Sequence, residues 1–230
     1  MGALLIFAFI ALVAAAIYYS WLAAKKRREA MQALAQELGW RFYQGHDSSQ
    51  DDEYSHFEIF RKGHSRSAFN TLTGRLEIDG RSFPAKAGDF RYRVTSSSGK
   101  STTYRFSYLI LHLPFANTPE LLIRREGLFD KIAGAFGFDD IDFESEEFSR
   151  RFHVKSSDKR FAYDVVHPRM MEFLLDTNAP MIDIEQGRCC LSNGSRRWKP
   201  EDFRNSIRFL REFFDLWPDH LTASLETGQR

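Results

Sequence analysis

The chain opens on an uninterrupted apolar run and then changes character. From Gly2 to Ala24 there is no charged residue, and only Gly2 and Ser20 fall outside the hydrophobic set. About 22 helical residues rise about 33 Å, enough to cross a hydrocarbon core with modest tilt. Tyr18, Tyr19 and Trp21 form an aromatic belt at one end of the run, and Lys25, Lys26, Arg27 and Arg28 follow at once. Interfacial aromatics backed by cations predict a single-pass signal-anchor in a bacterial inner membrane. Its N-terminus lies outside and the remaining chain is a cytoplasmic domain. A cleaved signal peptide carries its charges before the apolar run, whereas these come after it.

Helical spacing continues past the span. Ala30, Met31, Leu34 and Leu38 recur on one face, and Gly39 suits a C-terminal cap, which predicts a juxtamembrane helix over 25–39. Trp40 to Tyr43 reads as a short strand and the polar Gln44 to Glu53 as a loop. The spacing Ser55-His56-Phe57-Glu58 fits a capping box, with a short helix to about Arg61. Ala68 to Ile78, the turn Asp79-Gly80 and Arg81 to Thr95 form a hairpin. After a Ser-rich turn, Tyr104, Phe106, Tyr108 and Ile110 alternate with other residues up to Leu113-Pro114, giving a meander with one buried face over part of its length.

The second half alternates short strands with helices. Leu121 to Ile123 is strand-like, Gly127 to Phe136 a short helix, and Glu146 to Phe152 another with Ser145 as its N-cap. Pro168 divides the helical pattern from Phe161 to Asp176. Met181 to Glu185 and Arg188 to Ser192 flank Gln186-Gly187 as a hairpin. Pro200 starts a helix with the apolar stripe Phe203, Ile207, Leu210, Phe213 and Phe214, which stops before Pro218. Strands and helices without regular βαβ alternation predict an α+β fold. The chain divides into an anchor over 1–24, the helix over 25–39, one domain over 40–221 and a frayed tail over 222–230.

Composition narrows the class. The 32 Lys and Arg against 31 Asp and Glu leave a net charge of +1, which argues against a dedicated nucleic-acid binder. Two cysteines exclude a disulfide-rich secreted scaffold, and 15% aromatic residues exclude a disordered chain. Charge is nonetheless segregated. From Arg61 to Arg105 ten basic residues face three acids, a local +7, while Glu126 to Glu147 holds eight acids and one Lys, a local −7. A basic sheet beside an anchored helix suits contact with anionic lipid, through Arg75, Arg81, Arg91, Arg93 and Arg105. The same region could meet nucleic acid, with Tyr92, Tyr104, Phe106 and Tyr108 as stacking groups, or the basic and acidic regions could face each other.

No motif carries chemistry. Gly99-Lys100-Ser101-Thr102 copies the end of a phosphate-binding loop, but Val94 stands where the first Gly belongs and a strand follows where a helix is required. Cys189 and Cys190 are adjacent, so on a strand their side chains point to opposite faces and share neither a metal nor a relaxed disulfide. The seven histidines make no ligand pair, and no metal or cofactor is called for.

The layout of a short span, a helix ending in Leu38-Gly39-Trp40 and a Phe-rich α+β domain resembles bacterial single-span membrane proteins of unknown function. Glu147-Phe148-Ser149-Arg150-Arg151-Phe152 and Pro168-Arg169-Met170-Met171 carry the same likeness. That resemblance implies membrane localisation and no activity. Three readings stay open. The first is a non-enzymatic interaction module that meets the bilayer, a protein partner or a second copy of itself. The second is an enzyme with a site of scattered residues such as Asp51, His64 and Asp89. The third is lipid or nucleic-acid binding through the basic sheet.

Overall fold

The computed structural model describes residues 2–115, 117–127, 140–194 and 196–227. The apolar run and the juxtamembrane pattern form one unbroken helix, α1 (Gly2–Leu38). Its first part is long and apolar enough to cross a membrane, and none of that apolar window is buried against the protein. Gly39, at φ +66, and the bonds Trp40 N–H to Ala35 O (2.8 Å) and Gly39 N–H to Gln36 O (3.2 Å) close the helix in a Schellman turn. Glycine suits the left-handed position that such a turn requires.

Beyond α1 the chain builds one antiparallel sheet. The elements are β1 (Arg41–Asp47), α2 (Gln50–Glu53), α3 (Glu58–Arg61), β2 (His64–Ile78), β3 (Arg81–Thr95), β4 (Ser101–His112) and β5 (Leu121–Arg125). They continue with α4 (Glu146–Arg151), β6 (Phe152–Ser156), α5 (Lys159–Val165), α6 (Pro168–Asp176), β7 (Met181–Glu185), β8 (Arg188–Ser192), α7 (Pro200–Asp215) and α8 (Asp219–Thr227). The strand order is β1-β2-β3-β4-β8-β7-β5-β6, with every neighbouring pair antiparallel. This is the α+β architecture expected from the hydrophobic pattern.

Both faces of the sheet are covered over much of its area, which corrects the expectation of one buried face. Under α1 and α4 to α8 lies the larger core, with Met31, Leu34, Leu72, Leu109, Leu111, Phe161, Leu174, Phe203 and Phe213 among its members. On the opposite face, α3 and the turn before it place Tyr54, Phe57, Ile59 and Phe60 against Phe90, Phe106, Tyr108 and Ile110. Alternate residues of β4 therefore enter two different cores. Phe106 and Tyr108 are fully buried, so neither can stack on a base; Tyr104 is half exposed and stacks on Tyr92 at 5.2 Å.

Local differences have local causes. The stretch read as a loop from Gln44 is strand as far as Asp47, because β1 continues to pair with β2 past an irregularity between Tyr43 and His46. The helix near residue 58 starts at Glu58, with Phe57 at its N-cap and no side-chain cap bond, so the spacing from Ser55 does not act as a capping box. At Ser145 the expected cap is present, its hydroxyl accepting from Phe148 N–H at 3.2 Å. The tail expected to fray from 222 is helical to Thr227, and Leu221 is buried. The helix expected over Gly127–Phe136 lies largely outside the described residues.

Candidate functional site

Successive residues on one face of β3 and β4 change in character along the strands. Ala85 and Ala87 of β3, opposite Leu111 and Leu109 of β4, pack in the core beneath α1. The next pair on that face is Asp89 opposite Ser107, then Arg91 opposite Arg105, then Arg93 opposite Thr103. Core gives way to a buried acid and then to a basic end.

Asp89 is wholly buried and binds α1. Its Oδ1 accepts from Arg27 Nη2 at 2.7 Å and from the Ser107 hydroxyl at 2.6 Å. Its Oδ2 accepts from Arg27 Nε at 3.0 Å and from Asn70 Nδ2 at 3.1 Å. Arg27 also donates to the Trp198 carbonyl and lies 5.8 Å from the Phe203 ring centre. The Ser107 hydroxyl accepts from Trp198 N–H at 2.9 Å, which brings the start of α7 into the same network. A carboxylate with all these donors in place meets the requirement for a buried charge. A second, exposed bridge joins α1 to α7, where Arg204 Nε and Nη2 donate to the Glu37 carboxylate at 2.8 and 2.6 Å.

The other residues expected at a membrane interface lie along α1. Tyr18, Tyr19 and Trp21 are exposed, as are Lys25 and Lys26, and Lys25 lies 5.6 Å from the Trp21 ring centre. Arg28 is half-buried. Arg27 is the exception within that group, because its guanidinium belongs to the domain.

Of the five arginines expected to contact anions, the structure brings together three. Arg91, Arg93 and Arg105 line a cleft of about 220 Å³ with Ser65 and Thr103. Arg75 and Arg81 sit at the other end of the β2–β3 hairpin. Arg75 bonds Ser82 through Nε to the hydroxyl at 2.8 Å, and Arg81 pairs with Glu226. The acidic stretch does not cover the basic end among the described residues. Glu126 pairs with His153, Asp140 with His153 at 3.3 Å and Lys155 at 3.8 Å, and Glu147 with Arg151 at 3.0 Å.

The scattered residues of the enzymatic reading do not converge. Asp51 pairs with Arg66 at 2.6 Å, and His64 bonds the hydroxyls of Ser65 and Thr95 at 3.0 and 2.9 Å. Asp89 is sealed beneath α1. Gly99-Lys100-Ser101-Thr102 spans the β3–β4 turn, closed by Gly99 N–H to Ser96 O at 2.9 Å, and continues into β4. Cys189 and Cys190 are buried in the two opposite cores, and burial pushes both thiols well above their usual range. Among the described residues no three His, Cys, Asp or Glu side chains are placed to hold a metal.

Sequence reasoning missed a polar cluster on the face away from α1. The Tyr54 hydroxyl meets His112 Nε2 at 3.1 Å, and Lys86 bonds Glu53 at 3.0 Å while lying 5.1 Å from the Tyr54 ring centre. Asp183 of β7 is flanked by Leu122 and Cys190 on the neighbouring strands. Burial, then the neighbouring Glu185, hold its carboxyl well above the usual range. Burial and Glu120 push Glu185 up to about 7, and burial with Arg188 nearby pulls His56 down to about 4. The signal available was alternation in Met181-Ile182-Asp183-Ile184-Glu185, which places both acids on one face of a fully buried strand.

Compared with known protein families and with curated proteins, the chain matches none. Among solved structures it is similar to the mycobacterial trehalose monomycolate transport factor A, TtfA. The identity is 14% and the TM-score 0.50, over 83% of this chain and 96% of that one. At this identity the likeness concerns the fold.

Proposed function

We propose that the protein is a membrane-anchored, non-enzymatic interaction module whose domain is held in a fixed attitude at the cytoplasmic face of the bilayer. The observation that carries this reading is the Arg27–Asp89 bond network. It fastens the helix to the domain only a few residues past the apolar run, so no flexible linker separates span from sheet. The domain's surfaces then face the membrane, and any partner within it, in one orientation. Lys25, Lys26 and Arg28 after the span favour the N-terminus outside and the domain in the cytoplasm. A mycobacterial transport factor with a similar fold is compatible with an accessory role. The dispersal of Asp51, His64 and Asp89 weighs against a catalytic one.

Orientation is tested at the β3–β4 turn, because the native thiols are buried. In Ser98→Cys protein, an impermeant thiol reagent is expected to label only after the inner membrane is opened. Labelling in intact spheroplasts would overturn the orientation. Crosslinking in native membranes tests the module itself. Discrete adducts are expected with the wild-type chain and their loss in Asp89→Ala, which removes the carboxylate that fixes Arg27 of α1 to the sheet. Adducts unchanged by that substitution would argue against fixed presentation.

A further inference from the structure

We propose that the basic end of the sheet, formed by Arg91, Arg93 and Arg105 with Ser65 and Thr103, binds the phosphate of anionic lipid headgroups in the bilayer that α1 spans. This rests on the reading of α1 as a membrane span and names what the module meets there.

The first argument is electrostatic. Arg91 and Arg105 are direct cross-strand partners and Arg93 is two residues further along β3. Like charges placed opposite each other destabilise a sheet unless something neutralises them. Among the described residues no carboxylate pairs with any of the three. They surround a cleft of about 220 Å³ whose other walls carry the hydroxyl side chains of Ser65 and Thr103. Guanidinium groups with hydroxyl donors form the donor set that recognises phosphate oxygens.

The second argument is position. Trp40 Nε1 donates to the Arg75 carbonyl at 3.0 Å, and Arg75 is opposite Pro84 on β3. From Leu38, where α1 ends two residues short of Trp40, to Arg27 the helix advances eleven residues, about 17 Å. From Pro84 to Asp89 β3 advances five residues, about 17 Å. Helix and strand therefore run nearly in step between their two points of contact. Continued past Asp89, Arg91 lies about 7 Å and Arg93 about 13 Å further along β3. On α1, Trp21 is about 9 Å and Tyr19 about 12 Å beyond Arg27. The arginines thus reach the level of the aromatic belt, where headgroups lie. They also project from the sheet face that α1 covers, because they alternate in step with Ala85, Ala87 and Asp89.

The test uses the full chain in nanodiscs of phosphatidylcholine alone or mixed with phosphatidylglycerol, carrying one fluorophore at Ser98→Cys. Quenching by headgroup-spin-labelled phosphatidylglycerol is expected to exceed that by the matching phosphatidylcholine probe. The excess should shrink as salt rises. Each arginine replaced by Gln should reduce the preference roughly fivefold, and the Arg91, Arg93 and Arg105 triple variant roughly a hundredfold. Arg75→Gln with Arg81→Gln, at the far end, should leave it unchanged. The single substitutions, set against the Arg75→Gln with Arg81→Gln variant, decide the matter even where the triple variant folds poorly. Equal quenching by both probes, or a preference that survives the triple substitution, would overturn the proposal. So would competition by inorganic phosphate at equal concentration, or retention of an RNA oligonucleotide without any headgroup preference. Extraction of the chain from membranes by alkaline carbonate would instead sink the span reading. A chain that stays membrane-bound but shows no preference sinks this inference alone.

Discussion

Arg27→Met tests the coupling between span and domain at its centre. The substitution keeps most of the side-chain length but removes the guanidinium from a carboxylate with no exposure to solvent. Asp89 would keep Ser107 and Asn70 as donors and lose two charge-assisted bonds, at 2.7 and 3.0 Å. Leaving one member of a buried pair uncompensated costs about 3–5 kcal/mol. Asp89→Asn should cost less, about 1.5–3 kcal/mol, because the stranded Arg27 is partly exposed and keeps the Trp198 carbonyl. The double substitution removes both charges together and should be milder than the sum of the singles by about 1–3 kcal/mol. Urea unfolding of the full chain in detergent micelles, followed by tryptophan emission, reads all three. Trp198 abuts the network and reports it directly. An Arg27→Met cost below about 1 kcal/mol, or strict additivity in the double variant, would refute the view that this pair fastens the domain. Distance measurements between spin labels on α1 and β3 should broaden in the single variants.

Other outcomes follow from the same packing. Phe60→Ala removes a fully buried ring that meets Phe90 at 4.9 Å and Tyr108 at 5.3 Å, and should cost about 3–5 kcal/mol in the same assay. Gly74→Ala drives a methyl into the Trp40 ring and should cost about 1–3 kcal/mol, with a shift in tryptophan emission. Glu37→Gln breaks only an exposed bridge to Arg204 and should leave the urea midpoint nearly unchanged. Glu185 has its carboxyl raised to about 7, so the folded state holds a proton there that the unfolded chain releases near its ordinary value of 4.5. Its contribution to stability should therefore fall as pH rises from about 4.5 to about 7, against the opposite contribution of His56, lowered to about 4, and Glu185→Gln should shift the slope of stability against pH upward over that window in urea titrations.

The strands and long helices were legible because each buries one or two faces with the matching period. The β2–β3 hairpin, the Pro168 break and the α7 stripe all follow from spacing and turn residues alone. The local misses lie where pairing overrides composition: β1 keeps a polar stretch extended because β2 offers partners, and α3 starts where apolar contacts place it. The Arg27–Asp89 bond was harder to read because it joins residues far apart in the chain. Arg27 looked like one of four interchangeable cations, and Asp89 like one acid among scattered candidates. Alternation carried a clue, since Ala85, Ala87 and Asp89 share a face and an inward carboxylate needs a cation. Composition also misled about the basic region, where two of five arginines are at the opposite end of the sheet.

What links these features is register. Along α1, toward its N-terminus, core residues give way to Arg27, then to cations and aromatics, and then to the apolar run. Along β3, in the same direction, core residues give way to Asp89 and then to Arg91 and Arg93. The two gradients are aligned by one fixed point, the buried pair, and by a second contact at Trp40. Moving the helix one turn along the sheet would bring a different side chain to Asp89 and leave a buried carboxylate unpaired. That cost makes the alignment discrete. The pair therefore does more than stabilise the fold: it sets how far the basic end of the sheet lies from the apolar run of α1.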